Sequence, residues 1–161
     1  MNELANSVSS GFADHLQNIA AKLHKWVDPL SEKQFWRNPY PYGNSVGHLL
    51  LHLSGNLNYY IGAQIAGTGY VRNRDREFTE ADRPSKEEVV GNFDRAIQLV
   101  VDTIRRQSPE DWSSGYSAER SEAKDRFAIV LRCASHADHH IGQIIYLSSE
   151  FTSQEARKAS T

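Results

Sequence analysis

Four stretches of this 161-residue chain repeat their apolar residues at intervals of three and four. That period commits each stretch to an amphipathic helix rather than a strand. In the first, Leu4, Val8, Phe12, Leu16, Ile19, Leu23 and Trp26 step along one side, and Pro29 disfavours helical geometry at Asp28. The second starts at Asn44 or Ser45, both good caps, and carries Val46, Leu49, Leu50, Leu53, Leu57 and Ile61. The third opens on a capping box, Ser85 with Glu88, bears Val89, Phe93, Ile97, Val101 and Ile104, and stops before Pro109. The fourth begins between Glu122 and Arg126 and runs through Phe127, Val130, Leu131, Ala134, Ile141, Ile144 and Ile145. Between them lie a turn capped by Ser31, a loop with Pro39, Pro41 and Gly43, and a charged connection over 70–84 without helical period. Four such helices predict an all-α four-helix bundle in one domain, residues 1–150, with a polar tail at 151–161 that is expected to fray.

Charge and cysteine content narrow the function. A net charge of -2 offers no general attraction to nucleic acid or to an anionic membrane surface. No apolar run approaches a membrane span, and the start of the chain lacks a basic region followed by an apolar stretch, so neither a span nor a secretory signal is expected. The single cysteine, Cys133, rules out an internal disulfide and any multi-thiolate zinc site, and it reads as a small buried residue in a reducing, cytoplasmic setting.

The fourth helix contains "CASHADHHIGQ", with His136, His139 and His140 close together. At about 100° per residue, His140 lies roughly 80° and His136 roughly 120° from the centre of the apolar arc, while His139 points nearly opposite it. His136 and His140, four apart, therefore share the edge of the buried face. The second helix carries the same spacing at His48 and His52. His52 sits roughly 110° from the apolar centre and His48 a further 40° or so toward solvent. His52 is thus the residue expected to face His136 and His140 across the bundle.

Two histidine pairs on separate helices of one small bundle point to a metal site. Three neutral imidazoles suit zinc, nickel, copper or iron(II) better than calcium or magnesium. The chain has no Glu-x-x-His, the mark of a carboxylate-bridged di-iron bundle, and no His-Glu-x-x-His, the mark of a zincin protease. Three protein ligands leave a fourth position for water or substrate, and metal-bound water ionises near neutral pH.

With helices and histidines placed, the chain resembles the DinB/YfiT-like superfamily of metalloenzymes, in an uncharacterised branch. The residues that carry the resemblance are "HLSGN" at 52–56 and "HADHHIGQ" at 136–143. It implies an up-down-down-up bundle with His52, His136 and His140 as ligands, zinc or nickel being the leading ions. It also implies a small-molecule substrate, handled by a transferase or isomerase that uses a low-molecular-weight thiol, or by a hydrolase.

Other residues join the candidate site by position. Asn56 lies one turn beyond His52, with Tyr59 close to that line, and both are candidate donors to a ligand. Gln143 falls two turns after His136. "RNRDREF" at 72–78 offers Arg74 and Arg76 as an anion clamp, or with Asp75 and Glu77 a solvated loop whose charges satisfy one another. Trp36, Tyr40 and Tyr42 can line a pocket mouth or pack against loops. The alternative to an enzyme is a non-enzymatic bundle that binds a metal or another ligand. A homodimer suits an amphipathic bundle of this size.

Overall fold

The computed structural model describes residues 3–79 and 82–159, and among these no strand forms; Gly115 and Asp125 make one isolated bridge. Four helices are long: α1 (Glu3–Val27), α3 (Val46–Leu57), α5 (Lys86–Arg105) and α7 (Arg126–Ala159). Three are single turns: α2 (Glu32–Phe35), α4 (Arg76–Thr79) and α6 (Pro109–Trp112). The end of α3 widens into a π-helical segment, Asn58–Ala63.

Serines start four of these helices by accepting a backbone N–H that the first turn leaves unpaired. Ser45 Oγ takes the His48 N–H at 3.1 Å, and Ser85 Oγ takes that of Glu88 at 3.2 Å. At α2 the exchange is reciprocal, with Ser31 Oγ accepting from Gln34 N and Gln34 Oε1 from Ser31 N. The unforeseen α6 is built the same way, from Ser108 and Asp111 with Pro109 in its first turn.

Helices α1 and α3 each pack against both α5 and α7. Their apolar stripes meet in one core that includes Leu16, Leu23, Leu50, Leu57, Phe93 and Ile129. Two stripes run differently from the sequence expectation. The first half of α1 buries the small residues Ala5, Ser9 and Ala13, and Leu4 stays 72% exposed. On α7, Ile129 and Cys133 go inward while Phe127 and Leu131 remain exposed. Phe12, half-buried, packs instead on the rings of Trp112 and Phe127 at 6.0 and 5.8 Å.

The second helix departs furthest from a one-sided wheel. Every residue of α3 except Leu51 is buried, His48 included. The expectation that His48 turns to solvent is corrected here: connections cover the side that a bare bundle leaves open. Trp36 lies on Gly47, where a Cβ would overlap its ring, and stands edge-on to His48 at 5.3 Å. Ser45 Oγ and His48 Nδ1 are 2.8 Å apart.

The expected frayed tail is corrected too. Helix α7 continues to Ala159 and buries Phe151 at its near end. The Phe151 carbonyl accepts from Gln34 Nε2, and the Arg37 guanidinium lies 5.0 Å above its ring. Residues 160–161 of that tail lie outside the described residues.

Candidate metal centre

Residue numbers rise along α3 as their partners fall along α7: Leu49 shares a hollow with Gln143, His52 meets His140 and His136, and Tyr60 stacks under Arg132. The two helices are therefore antiparallel, and the histidines occupy the middle of their seam. His52, His136 and His140 each offer a ring nitrogen, all within 4.8 Å of one another. The ring centroids stand 4.5 to 5.0 Å apart. His139 points outward, as its wheel position requires, and is exposed.

What lies behind the rings decides their chemistry. His52 Nδ1 is 2.8 Å from Glu77 Oε2. A carboxylate only accepts, so Nδ1 carries the proton and Nε2 presents a lone pair. Arg72 holds that carboxylate from behind, through Nε to Oε1 at 2.6 Å and Nη2 to Oε2 at 2.8 Å. Both side chains of the ion pair are under 10% exposed. Burial pushes the Glu77 carboxyl up, but His52 and Arg72 outweigh it and hold the carboxyl below its ordinary range. His140 repeats the arrangement, with Nδ1 2.7 Å from Gln143 Oε1, so its Nε2 is also free to face inward.

The third ring closes the cluster. His136 Nε2 and His52 Nε2 approach to 2.9 Å. Two lone pairs repel at that distance unless a proton or a cation lies between them. With a proton, His136 Nε2–H donates to His52; with a cation, three Nε2 lone pairs converge on one point. Burial, then the His140 and His52 rings, then Arg132, lower the His136 pKa to about 3. Burial likewise lowers that of His140. Neutral imidazoles are what a metal requires, so the donor set fits a divalent transition ion.

Glu77 and Arg72 form the part that sequence reasoning missed. Glu77 appeared there only as a partner for neighbouring arginines, and Arg72 not at all. The carboxylate reaches His52 because the connection over 70–79 folds onto α3 and turns at α4, where Asn73 Oδ1 accepts the Arg76 N–H. Gly55 makes that approach possible, since a Cβ there would collide with the Glu77 carboxylate. A glycine inside a helix, one turn from a candidate ligand, was the available signal. Phe78 comes in with the same loop, its ring 4.8 Å from that of His52.

The other candidates are placed as follows. Asn56 is buried one turn from His52, and Gln143 serves His140 rather than packing alone. Tyr59 lies in the π-helical segment and faces a hollow of about 370 Å³ shared with Arg72, Arg74 and Arg120. At the other end of the seam, Tyr40, Tyr42 and Tyr146 line an uncharged hollow of about 600 Å³ with His139 and Gln143. Cys133 is buried, and its thiol is pushed up to about 12, which makes it inert as a nucleophile.

A family described as a protein of unknown function (DUF1572) matches residues 4–161. The chain belongs to the DUF1572 family. Among solved structures, this DUF1572 chain is similar to a DinB-like protein from Bacillus cereus ATCC 10987, with a TM-score of 0.70 and 13% identity over 89% of this chain and 92% of that one. At that identity the likeness speaks for the fold, which is all-α and DinB-like, as the histidine motifs implied. No curated protein matches the sequence. No helix among the described residues is long and apolar enough to cross a membrane.

Proposed function

We propose that this DUF1572 protein is a metal-dependent enzyme acting on a small molecule, with zinc or nickel held by His52, His136 and His140. The observation that carries the proposal is the chain Arg72–Glu77–His52, which fixes one tautomer and aims Nε2 at the other two rings. A carboxylate behind a histidine is the usual support of a metal ligand, since it orients the ring and raises its basicity. When bound, the metal supplies a Lewis acid able to polarise a carbonyl or activate the sulfur of a low-molecular-weight thiol. Glu77 and Gln143 keep the protons on the outer nitrogens of His52 and His140, and Phe78 shields one side of His52 from water.

The reaction is proposed as thiol-dependent transfer or isomerisation, with hydrolysis as the other enzymatic form, in a cytoplasmic setting. Asn56 and Tyr59, one and two turns from His52, are the residues proposed to contact a substrate. One observation favours a non-enzymatic metal-binding role instead: the two hollows that flank the seam, at Tyr59 and Arg74 and at Tyr40 and Tyr146, are not lined by His52, His136 or His140. A homodimer is proposed with either form. Its support is the exposed apolar run on α1 and α7, where Leu4 and Phe127 line one hollow and Leu131 the next, joined at Val8.

Elemental analysis of untagged protein tests the metal. Stoichiometric zinc or nickel is expected in the wild type and little in His52→Ala or His136→Ala; full occupancy in those variants overturns the assignment. Turnover of electrophiles with a panel of cellular thiols, against ester and amide cleavage, then separates transferase from hydrolase. Absence of both in the loaded protein favours the binding role. Light scattering reads the oligomeric state.

A further inference from the structure

We infer that His139, the outward member of the histidine run on α7, is a positioning residue: through the Gln143 amide it holds His140 in the tautomer that turns Nε2 toward the cluster. The inference takes its purpose from the metal reading above, but its central measurement needs no metal.

Gln143 follows His140 by three residues and His139 by four, the two intervals that make neighbours on a helix surface. One amide therefore meets two imidazoles. Gln143 Oε1 is 2.7 Å from His140 Nδ1, and Gln143 Nε2 is 3.4 Å from His139 Nε2. The rings of His139 and His140 stand edge to face, with 5.0 Å between centroids.

An amide is an ambiguous partner for a ligating histidine. Unlike the carboxylate behind His52, it accepts at one end and donates at the other. With its oxygen toward His140, Nδ1 carries the proton and Nε2 keeps a lone pair for the seam. Turned over, its NH2 donates to Nδ1. The His140 proton then moves to Nε2 and blocks the position that a metal would take.

Packing does not choose between the two. Gln143 is exposed, its oxygen and NH2 have nearly the same shape, and water can serve either end. His139 does choose. With its own proton on Nδ1, its Nε2 accepts from the amide NH2, which leaves the oxygen for His140. In the reversed amide the oxygen would face that lone pair. The hydrogen bonds then run in one direction, from His140 Nδ1–H to the amide oxygen and from the amide NH2 to His139, and bonds in such a series strengthen one another. Each arm of the site is thus backed twice: Arg72 fixes Glu77 behind His52, and His139 fixes Gln143 behind His140. The second bond is longer and lies in solvent, so its effect is the smaller.

Nitrogen NMR of histidine-labelled, chelator-treated protein, at a pH where His140 is neutral, reads which ring nitrogen carries the proton. His140 should show Nδ1–H in the wild type. It should show a mixture of tautomers in His139→Phe, which keeps a ring and loses the acceptor. Zinc affinity, read by competition with a chromophoric chelator, should fall about twofold to tenfold in that variant, the loss of one hydrogen bond. Gln143→Glu installs a group that only accepts and needs no orienting, so it should hold wild-type affinity or better. Adding His139→Phe to it should change neither tautomer nor affinity, whereas a residue that merely supported the helix would cost the same in both backgrounds. A His140 tautomer unchanged by His139→Phe overturns the proposal, and so does an affinity loss that persists in the Gln143→Glu background. A wild type that binds neither zinc nor nickel overturns the metal assignment instead, and the tautomer measurement still decides this one.

Discussion

Replacing Glu77 by Gln changes one atom at the point where the loop over 70–79 meets α3. Glu77 accepts from His52 Nδ1 at 2.8 Å and from Arg72 Nε and Nη2 at 2.6 and 2.8 Å. An amide of the same shape offers one oxygen and one NH2 group, so whichever way it turns, a donor faces a donor. The charge is lost as well, and the Arg72 guanidinium is left 9% exposed without a counter-charge. Removing one partner of a buried ion pair costs about 3–5 kcal/mol. Loss of the carboxylate behind a ligating histidine weakens metal binding about 10–100-fold, or about 1.4–2.8 kcal/mol.

The two effects separate in practice. Denaturant unfolding of chelator-treated protein reads the first, and competition with a chromophoric chelator reads the second. The stabilisation that metal confers on the wild type should shrink in the variant by the affinity loss, because the ion binds only the folded site. Arg72→Met keeps the bond from His52 to Glu77 and tests the pair from the other side. The double variant should be less destabilised than the two single ones added together, by about 0.5–3 kcal/mol. Wild-type metal affinity and an unchanged unfolding midpoint in Glu77→Gln would refute both the tautomer argument and the buried pair.

Gly55→Ala should lower stability and metal affinity together, although alanine in a helix is ordinarily better by about 0.8–1 kcal/mol; a more stable variant with unchanged metal binding contradicts the close approach of Glu77 to Gly55. Phe151→Ala should cost about 3–5 kcal/mol in urea unfolding, because its ring is 3% exposed within α7; a cost within error would return residue 151 to a frayed tail. Ser45→Ala removes the cap of α3 and the contact to His48, and should cost about 1–2 kcal/mol with metal content intact. For His24, burial lowers the pKa but hydrogen bonds to Asp28 and Asp94 raise it more, so it ends above 6.5. Its stabilisation is fully present below pH 6.5 and fades as pH rises through the higher folded value. With 39% of the side chain exposed, the advantage over His24→Gln should stay below about 1 kcal/mol; an advantage that grows with pH has the wrong sign.

Helix count and the three inward histidines were legible because a 3.6-residue period fixes direction along each helix without reference to its neighbours. That argument separates the inward His136 and His140 from the outward His139 by their position on one helix. It fails at His48, since a wheel assumes one buried side, whereas α3 is covered by Trp36 on one flank and the Glu77 loop on another. It fails again at Phe127 and Leu131, which stay exposed while Ile129 and Cys133 turn inward. Glu77 and Arg72 had no period to betray them. Their position depends on a loop path, and the loop path depends on Gly55, Asn73 and the buried ion pair together.

The contrast between His48 and His52, four residues apart on one helix, shows what a ligand position requires beyond burial. Both rings are buried, and both have an oxygen 2.8 Å from Nδ1. Behind His48 that oxygen is the Ser45 hydroxyl, which gives or takes a proton and so by itself does not choose the tautomer. Behind His52 it is a carboxylate with a guanidinium locked to its other side, which only accepts. The rings also face different surroundings: His48 stands against Trp36, His52 against two imidazoles. Spacing alone made the two histidines equivalent, and helical direction separated them for a reason that proved incomplete. The proton on Nδ1 and the lone pair it frees on Nε2 are what set His52 apart, and both trace to one glutamate in a loop without periodicity.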